Sequence, residues 1–421
     1  MPYETIVGRE RKDLEKYGNS GVGYIGKHIV GTGEDAHLTT KVFVDLLKPH
    51  VMLICGKRGS GKSYSAANIL EEFCKLPDEL RKKMAFVVID PMGIYWSMKY
   101  PNTQQQDLLK QWNMEPTDFS NKVKVYVPIK QKEEYTNANV PVDGTINISL
   151  KEFSAEDLIL AFGFKRTDEI SISLEKNFNS FIESEEHFGF DELIKKIRSD
   201  EETRKETRDA LVNFLTVADQ WGLIAKDGIR VEDLIKEGEV SVIDLSRMRS
   251  NELRQLLVSL ITRRIFRARV LSRKEEETAK LAGERQKFTF PLTWLLLEEG
   301  HNFIPSDEKV ASSDAITRIA KEGREPGIGL IVITQMPNKV HQDVLSQCDL
   351  VISFRLTSKN DLDALHTVYQ SYMKEDLDRM INNLPRWPGS AIILDDNLEK
   401  VFSVNIRPRI SWHSGGTAVV V

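Results

Sequence analysis

The sequence predicts an α/β protein whose mainly parallel sheet is interrupted by a helical insertion. Residues 51–55 and 85–89 are short, unbroken apolar runs, closed by Gly56 and by Asp90-Pro91, as expected of strands buried on both faces. A helix-compatible stretch, 63–76, lies between them. Strand, helix and strand at this spacing make a βαβ unit and hence a parallel sheet. Across 151–235 the pattern changes: Phe178, Phe181, Ile182, Leu193, Ile194 and Ile197 recur at helical intervals.

In chain order, the segment 1–48 opens with some 20 polar and charged residues that read as a mobile arm or docking segment. Residues 22–25 and 42–47 then read as short strands, broken by Gly31, Gly33 and Pro49. The first part of the core, 49–150, adds an alternating strand at 123–128 and another at 146–150. The helical insertion, 151–237, begins with Ser154 and Asp157 at capping-box spacing, and its charged piece at 198–208 reads as a solvated face. The core resumes over 238–421. Strands are expected at 240–244, 291–297, 330–334, 350–354, 391–394 and 401–406, with a long helix carrying Leu253, Leu256, Leu257, Leu260, Ile261 and Ile265.

At 421 residues the chain has room for two or three domains of roughly 150 residues each. Lys plus Arg is 58 against 63 for Asp plus Glu, a net charge of −5. That argues against binding nucleic acid through bulk basicity, but a local basic lining stays open. Cys55, Cys74 and Cys348 are too few and too scattered for a disulfide scaffold or a zinc site, and fit a reducing compartment. No apolar run approaches the roughly 18 residues of a membrane span, and no apolar segment follows the charged opening as in a signal peptide. A soluble cytoplasmic protein is expected.

Gly56-Lys57-Arg58-Gly59-Ser60-Gly61-Lys62-Ser63 matches G-x-x-x-x-G-K-[ST] in full, between a buried strand and a helix as that motif requires. The glycines let backbone N–H groups turn inward onto phosphates at the positive end of the helix. Lys62 would reach the β- and γ-phosphate oxygens of a nucleoside triphosphate, and Ser63 would offer its hydroxyl to Mg²⁺. Downstream, the apolar run 294–297 ends in Glu298-Glu299. Glu298 would hold Mg²⁺, where Asp is commoner, and Glu299 would activate the attacking water. The next apolar run ends in Thr334-Gln335, whose amide would sense the γ-phosphate.

These residues and their neighbours resemble the HerA ATPases. The successive motifs are 57–64, Asp90-Pro91-Met92-Gly93-Ile94-Tyr95, 297–305 with Gly300, His301 and Asn302, 318–329, and Thr334-Gln335-Met336-Pro337. Arg407-Pro408-Arg409 with His413 and Gly415-Gly416 is similar to the family's tail. The resemblance implies a RecA/FtsK-like P-loop NTPase core using ATP and Mg²⁺. It also implies a homo-oligomer, a hexameric ring that moves double-stranded DNA through its pore. A NurA-like nuclease or another effector would join it in DNA end processing or genome defence. Arg58 and Tyr64 fall in the nucleotide-binding loop on this match. Asp90 is implied as a polar group near the nucleotide, Arg407 as an interface contact to it, and Arg324 as an arginine finger on the neighbouring subunit. A helix-end salt bridge is the other reading of Arg324.

Three departures stand out. Only 55 residues precede Gly56, so the family's N-terminal β-barrel is reduced or missing here; Ile94 replaces a usual Glu, and Met336 a common Arg. The DNA contacts have candidates in Lys130 and Lys132, and in Arg263, Arg264, Arg267, Arg269, Arg273 and Lys274. The second group also reads as a helix face balanced by Glu275, Glu276 and Glu277. A secretion or conjugation motor, and a nucleotide-gated subunit that recruits an effector, are the alternative functions.

Overall fold

The computed structural model describes residues 4–184, 188–220, 222–225, 230–284, 289–356, 358–368, 380–381 and 383–416. Its first strands are β1 (Thr5–Val7), β2 (Val22–Val30), β3 (His37–Asp45), β4 (Val51–Cys55), β5 (Met84–Asp90), β6 (Val123–Pro128), β7 (Gly144–Ile146), β8 (Ile148–Ser149) and β9 (Ile224–Ala225). The later ones are β10 (Val240–Asp244), β11 (Leu292–Leu297), β12 (Ile328–Thr334), β13 (Leu350–Phe354), β14 (Ser390–Asp395) and β15 (Lys400–Ile406). All but β8 and β9 join one sheet, in the order β1-β3-β2-β15-β14-β13-β4-β12-β11-β5-β10-β6-β7. From β13 to β7 every pairing is parallel. From β13 through β14, β15 and β2 to β3 it is antiparallel, while β1 pairs with β3 in parallel, so eight of the twelve pairings among the described residues are parallel and the mainly parallel expectation holds.

The central strands are apolar throughout because both faces are covered. Met52 and Ile54 of β4 face one layer with Phe86, Val88, Ile331 and Ile333, packed under Ala66, Ile69, Leu70 and Phe73 of the Lys62–Lys75 helix. Leu53 and Cys55 face the other, with Val87, Leu295, Leu330 and Val332 beneath the Asn251–Leu281 helix and the insertion. Burying each such side chain contributes roughly 1.5–3 kcal/mol, which makes a polar residue inside these runs costly. In the insertion, Ser154 Oγ accepts from the Asp157 N–H while Asp157 accepts from the Ser154 N–H, so the capping box forms with Asp in place of Glu. Among the described residues no helix is long and apolar enough to cross a membrane.

Two expectations are corrected. The N-terminal segment is not a mobile arm followed by a separate barrel remnant. The strands β1, β2 and β3 lengthen the core sheet, and the Arg9 guanidinium is buried against Asp45 at 2.6 Å. The run at 146–150 is not one strand: β7 ends in the main sheet, while β8 leaves it to pair with β9.

The C-terminal tail is strapped across the Lys62–Lys75 helix by buried charge. Arg407, 0% exposed, donates to Glu71 (2.8 Å), Glu72 (2.9 Å), the Asn68 side chain and carbonyl, and Tyr24 O. Ser411 N–H and Oγ both donate to Glu71, which the Arg409 guanidinium also approaches at 3.7 Å. Removing one partner of such a network strands the others in a dry interior. Arg407→Ala is therefore expected to lose about 3–5 kcal/mol of unfolding free energy, measured by denaturant titration. A loss below ~1 kcal/mol would show that the strap is not a stabilising element.

Candidate functional site

The P-loop follows β4 directly. Gly61 adopts φ 105°, a left-handed turn that favours glycine, and leads into the Lys62–Lys75 helix. A Cβ at Gly56 would stand 2.6 Å from Phe354 Cβ and 2.7 Å from Ser60 Oγ, so only glycine fits between the loop and β13. Ser60 Oγ is buried without a hydrogen-bond partner among the described residues, as a phosphate cradle would leave it. Lys57, Arg58 and Gly59 are exposed at the rim. Lys62 is buried, and its Nζ donates to Lys57 O at 2.9 Å. Burial lowers its pKa, opposed by the charges of Glu299 and Glu298.

The carboxylates reach the loop because β12 lies between β4 and β11. The register Thr334 to Cys55 and Leu297 to Val332 brings three strand ends together. Glu298, 1% exposed, accepts from Ser63 Oγ at 2.8 Å on one oxygen and from Tyr95 OH at 2.6 Å on the other. Two hard oxygen donors thus converge at the helix N-terminus, a donor set that suits Mg²⁺. Glu299 adopts φ 50° and ψ 49°, unusual for a residue with a side chain, and its Oε2 is buried with no hydrogen bond among the described residues. Burial raises its pKa, while Lys62 and the Gln335 N–H counteract. Gln335 is half-buried at the end of β12, beside these groups.

Asp90 lies at the same sheet edge, beside Glu298, but its contacts serve the backbone rather than the nucleotide that the family match implies. It is buried, and both oxygens are spent on the N–H groups of Met92, Gly93, Ile94 and Tyr95 at 2.7–3.1 Å. It shapes the turn that delivers Tyr95 to Glu298, and does not itself face the loop's phosphates. Burial and the neighbouring Asp244 push its pKa to about 8. Arg407 is corrected likewise. Its N–H donors are consumed in the buried strap, which leaves none for a nucleotide. Tyr64 turns its hydroxyl into the same region, donating to Gln105 Oε1 at 2.8 Å and accepting from Arg409 N–H at 2.7 Å.

Arg324 is exposed, and no hydrogen bond or ion pair to it is found among the described residues, so the helix-end salt bridge does not form. It precedes β12, whose seven residues span about 20 Å at ~3.3 Å per residue. It therefore sits at the opposite edge of the sheet from its own P-loop. The buried guanidinium of Arg269 holds Pro326 O at 2.8 Å and fixes this turn. The basic cluster is mostly internal stapling: Arg263 pairs with Asp157 (2.7 Å), Arg264 with Glu152 (2.6 Å), Arg269 and Arg273 with Glu276. Its reading as a DNA-contacting group is corrected to that extent. Lys130 Nζ bonds Asp219 O, and Lys132 is exposed.

Sequence reasoning singled out neither Tyr95, Phe354 nor Asp244. The signal for Asp244 was present, since a carboxylate closing the apolar run 240–243 repeats the pattern of Glu298. Tyr95 closes the 90–95 motif, which marks it without showing that its hydroxyl would reach Glu298, while Phe354 acts through a tertiary contact that carries no local mark.

A family profile described as the central domain of the helicase HerA matches residues 24–265. The DNA double-strand break repair helicase HerA of Saccharolobus solfataricus is 25% identical over 398 residues, 93% of this chain and 70% of that protein. That of Pyrococcus furiosus is 31% identical over 161 residues, 34% of this chain and 29% of that protein. The match to the HerA of Sulfurisphaera tokodaii likewise spans 33% of that protein's length. Among solved structures, VirB4 of Thermoanaerobacter pseudethanolicus superposes with a TM-score of 0.55 at 16% identity, covering 93% of this chain and 97% of that one. It shares the fold.

Burial pushes the Glu298 pKa from 4.5 up to about 7 against the Tyr95 and Ser63 hydrogen bonds. The folded state then holds a proton that the unfolded chain releases as pH rises past 4.5. Nucleotide-free protein should lose stability between pH 4.5 and 7, on the order of 3 kcal/mol in full. Glu298→Gln should flatten that part of the profile. Thermal midpoints measured across pH for both proteins check this, and parallel curves would refute it.

Proposed function

Because the chain belongs to the HerA helicase family of P-loop ATPases, we propose that it hydrolyses ATP to drive a DNA translocase or helicase. One observation carries the reading. Lys62, Ser63, Glu298, Glu299 and Gln335 meet at one end of the sheet, while Arg324 stands free at the other. A single chain thus brings Lys62 to the phosphates but lacks the additional cation, an arginine finger, that stabilises the transition state of γ-phosphoryl transfer. In a ring of identical subunits, each Arg324 would face the next subunit's ATP.

The residues divide the work as follows. Backbone N–H groups of 56–61 and the helix N-terminus take the phosphates, and Lys62 holds the β- and γ-oxygens. Ser63 and Glu298 would hold Mg²⁺, which supplies charge neutralisation when bound. Glu299 accepts the proton of the attacking water, and burial raises its pKa in the direction that makes it a stronger base. Gln335 orients that water. Arg324 acts in trans, where such fingers contribute about 10³–10⁵ in rate. We further propose a hexameric ring, double-stranded DNA as the track, a cytoplasmic location, and a NurA-like nuclease or another effector as partner. With the net charge negative and Arg263, Arg264, Arg269 and Arg273 paired internally, the DNA contacts would come from few cations, such as Lys130, Lys132 and the exposed Arg267. The fall of log affinity with log salt would then be shallow, about −0.9 for each phosphate contact.

Steady-state ATPase with and without linear duplex DNA tests the reading. DNA should stimulate the wild type, and Lys62→Ala and Glu299→Gln should abolish turnover. Hydrolysis indifferent to DNA would exclude a DNA motor and favour a protein-translocating one. Arg324→Ala alone should fall by about 10³ or more. Mixed with Glu299→Gln subunits it should partly recover, because the mixture rebuilds intact sites across subunit boundaries. No recovery in subunits shown to co-assemble would place Arg324 outside the catalytic set.

A further inference from the structure

His301 lies one turn beyond the carboxylate pair and is assigned no part in the roles above. Its Nδ1 is 3.0 Å from Thr334 Oγ1 and 3.4 Å from Glu299 Oε2. Thr334 closes β12 immediately before Gln335, and its Oγ1 also accepts the Met336 N–H at 3.0 Å. Glu299 Oε2 is buried with no hydrogen bond among the described residues. The imidazole is therefore the polar group that stands between the base and the end of the strand that carries Gln335.

The backbone holds it there. Glu299 is in the left-handed region, and a Cβ at Gly300 would come within 2.5 Å of Val332 Cγ1, so the turn is pressed flat onto β12. A strained residue kept in place by close packing is a feature of functional turns. Burial and the nearby Lys62 lower the pKa of His301, which favours its neutral form. In the neutral ring, a lone pair on Nδ1 would face the Glu299 carboxylate. Placing the hydrogen on Nδ1 gives Thr334 Oγ1 its partner and aims the same N–H toward Glu299.

We propose that His301 is a positioning residue that orients the Glu299 carboxylate and ties it to the end of β12 through Thr334. A shift of Gln335 on meeting the γ-phosphate would then reach the base through one side chain. The inference rests on Glu299 acting as the base of an ATPase. It adds a side-chain path, through Thr334 and the imidazole, to the direct contact that the Gln335 N–H already makes with Glu299.

Two measurements on the full chain test it. In steady-state ATPase, His301→Ala should lower kcat by about ten- to a hundredfold, the scale of a misoriented catalytic group, with KM for ATP little changed. His301→Asn, whose amide nitrogen stands near the position of Nδ1, should recover most of that loss, and Thr334→Val should lower kcat in the same sense. A His301→Ala enzyme with wild-type kcat, or an Asn variant as slow as the Ala variant, would overturn the proposal. Independently of turnover, ¹⁵N spectra of the histidine rings, assigned with His301→Asn, should show His301 protonated on Nδ1 alone. A signal from the Nε2–H tautomer would also overturn it. A wild-type chain that gives the Nδ1–H signal yet hydrolyses no ATP would defeat the ATPase reading while leaving the His301 geometry supported.

Discussion

The hydrogen bond from Ser63 Oγ to Glu298 Oε1 joins the two halves of the candidate site, and the rest of the molecule is arranged so that it can form. The partners are 235 positions apart in the chain. They meet because β12 lies between β4 and β11, which sets the two loops one strand apart at the same end of a parallel sheet. Parallel strands point their C-terminal ends the same way, so every loop leaving them opens onto one edge. That geometry collects the P-loop, both glutamates, Asp90 and Gln335 without any long-range side-chain search.

Around that bond the chain buries an unusual amount of charge. Glu298 is held by Tyr95, Tyr95 by the turn that Asp90 organises, and Asp90 lies in register with Asp244 across β5 and β10. On the far side of the P-loop helix, Glu71 and Glu72 meet Arg407 and Arg409. Buried pairs of this kind contribute little net stability compared with apolar packing, but they penalise every arrangement that breaks them. Here they pin the tail and the 90–100 segment to the helix that starts at Lys62. The position of the phosphate loop is thereby tied to residues at both ends of the chain.

The insertion and the long helix answer to the same logic. Arg263 and Arg264 staple the Asn251–Leu281 helix to the insertion, and Arg269 holds the turn before β12. A run of basic residues that suggests a polyanion surface is largely spent on internal carboxylates and carbonyls. Arg324, in contrast, is left outside all such pairings among the described residues, at the edge opposite the P-loop.

The sequence by itself determined the fold class, the strand positions on the central sheet and the loops that carry chemistry. Each of these is local: an unbroken apolar run, a capping pair such as Ser154 and Asp157, or a G-x-x-x-x-G-K-S turn leaves its mark within a few residues. It also separated Glu298 and Glu299 from ordinary surface carboxylates, because they close a strand that must be buried. Tertiary structure alone decided which charged side chains face the site and which are consumed in the interior. Arg407 and Arg324 carry the same guanidinium, yet one lies among Glu71, Glu72 and Asn68 while the other is free. Likewise, the strands at 22–30 and 37–45 were foreshadowed by their apolar stretches, but their joining the core sheet through β15 was decided by pairing with a strand hundreds of residues away. Burial, register and the identity of a distant partner arise from contacts between segments hundreds of residues apart. The order of residues along the chain does not specify those contacts until the sheet has brought the segments together.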